Sequence, residues 1–423
     1  MELQPLIAEA LRVLHDDLLG AALISAALVL ILTLSEVGRR WLALPPEWTR
    51  KGSHLSSGAV VLAFPWLVHH TATVVVLALS FFALLVLGRG GLLRSIHGVS
   101  RRTQGAYYYP FAVLMVWVLS GGAPSTYMVP LAIMAVSDTG AALVGQHTGL
   151  LPYKVLDGQR TAGGSLTFFL LALGIAVTGL LLLGSPLGAA LLIGAITATL
   201  TTSVEAVSVR GADNLAVPYA AWVALDQTLG AGPEALQRWA VGLALGAAVV
   251  ALSTAAARLS VTGAITVFAV TTLSWALGGA HWLLPPLGVY GLYLLTRPVE
   301  TADLDQVFPT TAGPLVVLLA SLHLPHTHLY GPFLAAVAAS SAMTAVVVAR
   351  ARGWSVPLVT LLATLIPTGL GAMIRPDISW LIPLAGGALG VLLFDLLSTT
   401  PLVGRRLVGS LTAAAAAWWT LAG

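Results

Sequence analysis

Apolar residues come in long runs along this chain, separated by short polar links. A helix needs about 20 apolar residues to cross a bilayer, and fewer where other protein covers it. Runs of that kind fall at 18–35, 55–69, 71–88, 110–121, 125–146, 163–183, 186–204, 215–229, 239–257, 262–279, 283–296, 313–324, 331–349, 355–373, 380–397 and 406–422. The pattern predicts an all-α, polytopic integral membrane protein with about sixteen transmembrane helices, bounded by fourteen and eighteen. The short runs at 55–69 and 283–296 are candidates for re-entrant or broken helices.

The basic residues give this layout an orientation. With the N-terminus outside, seventeen of the twenty Lys and Arg residues fall in inward loops, and only Arg12, Arg238 and Arg375 face outward. Cytoplasmic loops carry such an excess. Glu36, Glu47, Asp138, Asp157, Glu205, Asp213, Glu300, Asp303, Asp305 and Asp395 fall on or near the same side. Orientation rules place no acids there, so the mixture points to a polar site open to the cytoplasm. The expected location is the cell membrane, multi-pass, with an active site facing the cytoplasm.

Composition removes the soluble classes. The chain is 57% hydrophobic and 9% charged, with a mean hydropathy of +0.91, whereas soluble domains carry about 25% charged residues. There is no cysteine, hence no disulfide framework and no thiolate metal site. The start, "MELQPLIAEALRVLHDDLLG", lacks a basic n-region and does not resemble a cleaved signal, so the first apolar run is expected to be a true span. Unusual polar residues concentrate before "GAGPEALQRW" (230–239), and the remainder is blander. Two membrane domains are expected, 1–235 and 236–423, with no repeat between them.

Five segments carry candidate chemistry. The first is "AVSDTGAALVGQHTG" (135–149), inside an apolar run. A carboxylate at mid-bilayer costs about 2.5–3.5 kcal/mol even on insertion scales, so Asp138 needs a stabilising partner. Positions 138, 142, 145 and 149 share a helix face that reads Asp, Ala, Gly, Gly. Gly145 and Gly149 let a ligand approach, or simply another helix. The second is "LLPYKVLDGQRTAGGSLTFF" (150–169), with Lys154, Asp157, Arg160 and Ser165 among glycines. Free backbone N–H groups beside Lys and Arg suit anions, although a positive-inside loop reads the same way. The third, "TTSVEAVSVRGADNLAVPY" (201–219), clusters Glu205, Arg210, Asp213 and Asn214. Hard oxygen ligands suit Mg²⁺ and the phosphates it carries, while Asp213 or Asn214 also suits a helix cap. The fourth, "WTRKGSHLSSGAV" (48–60), puts Arg50, Lys51 and His54 at the mouth of a span, either as topology-setting charges with an interfacial histidine or with Arg50 and Lys51 as phosphate contacts. The fifth, "RRTQGAYYYPF" (101–111), reads as bases plus an aromatic belt. Acids for a metal, bases for phosphates and small residues for close approach are the parts of phosphoryl transfer from a nucleotide.

In this order the segments resemble the CTP-dependent polyprenol kinases, the family of phytol, farnesol and dolichol kinases. The likeness rests on "RKGSH" and "SSG" (50–58), "GAYYYP" (105–110), "SDTGAALVGQHTG" (137–149), "YKVLDGQRTAGGSLTFF" (153–169) and "VEAVSVRGADNLAVP" (204–218), and covers about residues 35–230. It implies transfer of the γ-phosphate of CTP, with Mg²⁺, to a long-chain isoprenoid alcohol of the phytol, geranylgeraniol or farnesol type drawn from membrane lipid. It implies Asp138 and Asp213 as metal ligands and, with Glu205, as the catalytic set. Arg50, Lys51, His54, Gly145, Gly149, Lys154, Asp157, Arg160, Ser165 and Asn214 would then hold the nucleotide and its phosphates. Asp138 or Asp213 would accept the hydroxyl proton. The chain departs from the family's loop at Arg160, where a lysine is usual, and at Gly163, where a glutamate is usual. No nucleic-acid partner is expected, and the oligomeric state stays open.

The second half resembles, more faintly, a membrane family that includes phytyl-phosphate kinase, through residues 258–297, 303–313 and 386–398. That family would carry acids near "AAVAASSAMTAVV" (335–347), and none is present. The likeness therefore implies a degenerate partner, with Asp395 as a remnant. Two other functions compete with the kinase: a polyprenyl-lipid transporter or flippase, which broken helices at mid-membrane would suit, and a cytidylyltransferase, whose expected histidine–glycine and paired-aspartate signature is missing.

Overall fold

The computed structural model describes residues 3–89, 93–97, 104–155, 158–257, 259–296, 303–324, 326–373, 379–398 and 402–422. The chain folds as two compact units, Met1–Ala231 and Gly232–Gly423. Among the described residues, eight helices are long and apolar enough to cross a membrane. Gly105–Ser120, Thr311–Ala320, Val356–Gly371 and Leu381–Leu396 are shorter apolar helices. The protein is thus helical and polytopic. The expected apolar segments fall on helical structure, and the 55–69 run is broken at Ala63.

The first unit runs α1 (Leu3–Trp41), α2 (Pro46–Leu62), α3 (Phe64–Leu67), α4 (Thr71–Gly88), α5 (Arg94–His97), α6 (Gly105–Ser120) and α7 (Pro124–Ala132). A turn of π-helix (Ile133–Ser137) then leads directly into α8 (Asp138–Thr148). Next come β1 (Pro152–Val155), β2 (Gly158–Thr161), α9 (Ala162–Leu182), α10 (Leu187–Val207) and α11 (Asp213–Thr228). The loop expected at 150–169 is in fact an antiparallel hairpin, with Pro152 opposite Thr161 and Val155 opposite Gly158. Leu151 and Leu150 carbonyls accept from Ala162 N and Gly163 N, so the pairing runs on into α9. Thr161 caps α9 by accepting from Gly164 N.

Two lipid-compatible surfaces gain little from burying each other in a bilayer, so close packing must hold such helices together. Tyr127, Leu131, Ile133, Phe168, Leu180, Ile196 and Leu225 are fully buried here. Trp117 and Phe64 pack on Tyr127, with ring centroids at 5.4 and 6.5 Å. Tyr127 donates its hydroxyl to Val61 O at 3.0 Å, and Trp117 Nε1 donates to Thr71 Oγ1 at 3.3 Å. Small residues set the crossings. A methyl at Gly194 would come within 2.6 Å of Val177.

The second unit runs α12 (Pro233–Ala257), α13 (Val261–Leu273), a second π-turn (Ser274–Gly278), α14 (Ala280–Thr296), α15 (Asp303–Ala320), α16 (His326–Arg352), α17 (Val356–Ala372), α18 (Leu381–Leu396) and α19 (Leu402–Ala422). Helix α16 is its centre, 89% buried over its apolar window, with α15, α17, α18 and α19 packed round it. The acid-free stretch at 335–347 is packing surface. Ala335, Ala339, Met343 and Val346 form one core with Phe394, Ala413 and Ala417. A methyl on Gly390 would stand 2.7 Å from Ala339 Cβ. Asp395 is an exposed ion pair with Arg350, at 3.0 and 3.1 Å.

Candidate functional site

Helix α2 presents Glu47, Arg50, Lys51 and His54 at spacings of three and four, hence on one face. Arg50 closes onto Glu47 with two hydrogen bonds of 2.6 and 3.2 Å. One turn on, the buried Lys51 reaches across to α8. Its Nζ donates to Asp138 Oδ2 at 2.6 Å and lies 3.3 Å from the Asp138 carbonyl. His54 lies beneath this pair. Its Nε2 is 3.3 Å from Met134 O and 3.6 Å from Asp138 Oδ2, and its ring meets the Tyr109 ring edge-on at 5.3 Å.

Asp138 stands where it does because of the π-turn before it. One such turn inserts a residue into the helical register and re-aims whatever follows, and such turns recur at functional sites. Met134 O, within that turn, receives His54, and Ala135 O accepts from Thr139 Oγ1 at 2.8 Å. Helix α2 therefore meets the π-turn through His54 and the start of α8 through Lys51.

The opposite wall comes from β2 and the α10–α11 junction. Arg160 is bonded to Glu205, donates to Ser208 O at 3.1 Å and stands 3.5 Å from Asp213 Oδ2. One guanidinium thus ties the end of α10 to the start of α11. A tight turn links those helices, with Arg210 at φ 53° and Gly211 at φ 86°. Arg210 O accepts from Gln104 N at 2.8 Å, and Asn214 Nδ2 donates to Gly105 O at 2.9 Å, so α6 starts against α11. A side chain at Gly105 would strike Asn214 Nδ2 at 2.8 Å, which explains the glycine. Tyr153 and Ser165 share a 2.7 Å hydrogen bond between hairpin and α9.

These walls enclose a cavity of about 610 Å³, within the range of small-molecule sites, roughly 300–1,000 Å³. Among the described residues, four acids (Glu47, Asp138, Glu205, Asp213) and four bases (Arg50, Lys51, Arg160, Arg210) line it. Burial opposes the charge on Arg160, but Glu205 and then Asp213 outweigh it and raise its pKa above the usual value. Arg50 is raised in the same way, against burial, by Glu47 and then by Asp138 and Asp213. Both guanidinium groups stay charged at any physiological pH.

The sequence-predicted residues divide cleanly. Arg50, Lys51, Asp138, Gly145, Arg160, Ser165, Glu205, Asp213 and Asn214 line the cavity. His54 lies behind Asp138, outside that lining. Gly149, expected on the ligand-facing stripe, ends α8 in the left-handed region at φ 55°. Lys154 is exposed on β1, opposite Gln159. Asp157 lies outside the described residues. Gly145 lines the cavity and also packs on Gly164. Glu47 and Arg210 complete the charged lining, and the face count on α2 was the available signal for Glu47. No sequence signal marked the π-turn.

The donor set decides how a metal fits. Among the described residues, no three His, Asp or Glu side chains group tightly enough to cage an ion. Mg²⁺ commonly keeps waters and binds through one or two carboxylates plus substrate phosphates. Asp138 and Asp213 both line the cavity, from its two walls, and suit that second arrangement.

One curated relative decides the kinship. The phytol kinase of Synechocystis sp. is 30% identical over 203 residues, 47% of this chain and 83% of that protein. The chain belongs to the phytol kinase family. No family model matches the chain, and no solved structure does either. Membership in the family accords with the segments that supply α2, α8, the hairpin and the α10–α11 junction, because those elements build the cavity.

Proposed function

We propose that the first unit is an isoprenoid-alcohol kinase that moves the terminal phosphate of CTP to a long-chain alcohol. The observation that carries this reading is the cavity itself. It is a charge-balanced pocket in a lipid-compatible chain, with Lys51 locked on Asp138 at 2.6 Å and Arg160 bridging Glu205 and Asp213. Arg50, Lys51 and Arg210 offer cationic donors to a triphosphate. The alcohol oxygen attacks the terminal phosphorus, the bond to the nucleoside diphosphate breaks, and the hydroxyl proton passes to a cavity carboxylate, Asp138 or Asp213. The transition state of such a transfer is loose, so positioning and charge do most of the catalysis. Arg160 acts by fixing both carboxylates that flank it. Asp138 and Asp213 are the residues that would hold a phosphate-borne Mg²⁺, which when bound neutralises charge on the phosphoryl oxygens. The excess of basic residues on one side supports a cytoplasmic opening, where nucleotide is available.

Purified full-length protein in detergent, given γ-labelled CTP, Mg²⁺ and phytol, geranylgeraniol or farnesol in turn, tests the reading. Labelled lipid that disappears in Asp138→Asn is the expected result. Folded protein that labels no alcohol with any nucleotide overturns it.

A further inference from the structure

The cavity wall changes character at its mouth. Glu47 and Gln146 line the cavity, and the residues next to them in the chain, Trp48 and His147, meet edge-on with ring centroids 6.4 Å apart. Trp48 is 54% exposed. Beyond His147 the chain turns through Leu150 and Leu151, which are 56% and 70% exposed. Leu151 also sits at φ 49°, a region that non-glycine residues rarely adopt. The hairpin pairing holds the backbone there, since Leu151 O accepts from Ala162 N, and it leaves the leucine side chain outside the protein. Leu150 in turn lies against the first turn of α9, where a methyl on Gly163 would meet its Cβ at 3.2 Å. From there Leu166 and Leu170, one helical turn apart and both exposed, continue the apolar strip along a candidate membrane span.

Exposed apolar residues therefore adjoin cavity-lining positions: Trp48 follows Glu47, Leu150 packs at Gly163 beside Gly164, and Leu166 follows Ser165. We propose that Trp48, Leu150 and Leu151 form the docking lip for the isoprenoid tail of the acceptor alcohol, laying the tail along the α9 strip while its hydroxyl enters beside Lys51 and Asp138. This inference rests on the kinase reading and adds to it the residues that select a long apolar chain. The favoured occupant is one hydrocarbon tail rather than the bilayer surface at large, because Trp48, Leu150 and Leu166 each adjoin a residue that lines the cavity or its neighbour.

The test compares Trp48→Ala, Leu150→Ser and Leu151→Ser with the wild type, in detergent and in liposomes. Each variant is expected to lose about tenfold in kcat/KM for phytol, the scale of one lost apolar contact. Transfer to the short alcohol prenol and the KM for CTP stay unchanged. Equal losses for both alcohols overturn the proposal, as do losses confined to liposomes, which would make the lip a bilayer anchor. A second measurement does not depend on turnover. A photoreactive diazirine-bearing farnesol analogue, bound to wild-type protein, is expected to label the peptides that carry Trp48 and Leu150–Leu151. Label found only on other helices overturns the lip even if the kinase is active. Label at the lip in a protein that transfers no phosphate upholds the lip and sinks the kinase.

Discussion

Helix α8 and the middle of α16 draw on the same small residues, "SDTGAALVG" (137–145) in one and "AAVAASSAMTA" (335–345) in the other. In α16 the small side chains admit neighbours on every side. Ala335 and Ala339 lie against α18 so closely that added methyls at Gly386 and Gly390 would fall 2.8 and 2.7 Å from them. In α8 only part of the face is used that way. Gly145 meets Gly164, while Asp138 and Ala142 look into the cavity. The difference has two sources. One is the π-turn that re-aims α8, and the other is the buried Lys51 that makes a carboxylate tolerable there. Small residues give close approach, and only charge with its partner turns close approach into a site.

Removing the charge from α8 is the sharpest way to break that contrast. Asp138→Asn should lower phosphate transfer by about 10³-fold, the scale of deleting one preorganised polar group, with folding retained. Next in size is Lys51→Met, which leaves the half-buried Asp138 carboxylate without its ammonium partner. Breaking a fully buried pair costs about 3–5 kcal/mol, and this pair faces a cavity, so thermal unfolding in detergent should shift down by less than that limit. The double variant Lys51→Met with Asp138→Leu should recover most of that stability and none of the activity. A single variant as stable as the wild type would show that the pair is not what holds α2 to α8.

Arg160→Lys should follow, with a loss of about 10- to 100-fold in kcat/KM. A lysine is usual at this position in the family the sequence resembles, yet here the guanidinium serves Glu205, Ser208 O and Asp213 together. An ammonium cannot reproduce that planar fork. Unchanged kinetics would mean that Arg160 does not hold the α10–α11 junction.

What the sequence disclosed followed from cost. Apolar runs had to become helices, because backbone groups in lipid must be satisfied within the segment. Asp138 stood out because an isolated carboxylate is expensive in such surroundings, and Glu205 and Asp213 because hard oxygen ligands cluster there at the end of an apolar run. Their partners did not stand out. Lys51 lies 87 positions from Asp138 and Arg160 lies 45 from Glu205, and no local pattern encodes a pairing across helices. His54 read as a phosphate contact because its place behind the carboxylate depends on the π-turn, which shifts the register by one residue without a compositional mark. The hairpin was hidden for a similar reason. Four-residue strands leave no alternation long enough to recognise beside glycines that read equally well as a loop.

The smallest expected effects separate the two helices most directly. Gly390→Ala puts a methyl into the packed face between α18 and α16, 2.7 Å from Ala339 Cβ. Overpacking of that kind costs about 1–3 kcal/mol, and it should show as a lower melting temperature with kcat per folded molecule unchanged. Gly145→Ala introduces the same methyl in the first unit, 2.9 Å from Thr161 Oγ1 and 3.6 Å from Gly164 Cα. Thr161 is the cap of α9 and the last residue of β2, so the displaced atom belongs to the strand that carries Arg160. Here the reverse is expected: a melting temperature close to wild type and a fall of a few-fold in kcat/KM for CTP, from a hairpin pushed about half an ångström off its position, in line with the sensitivity of positioned groups. If Gly145→Ala instead lowered stability and spared turnover, α8 would be a packing helix like α16, and the cavity beside it would not be where the phosphate moves.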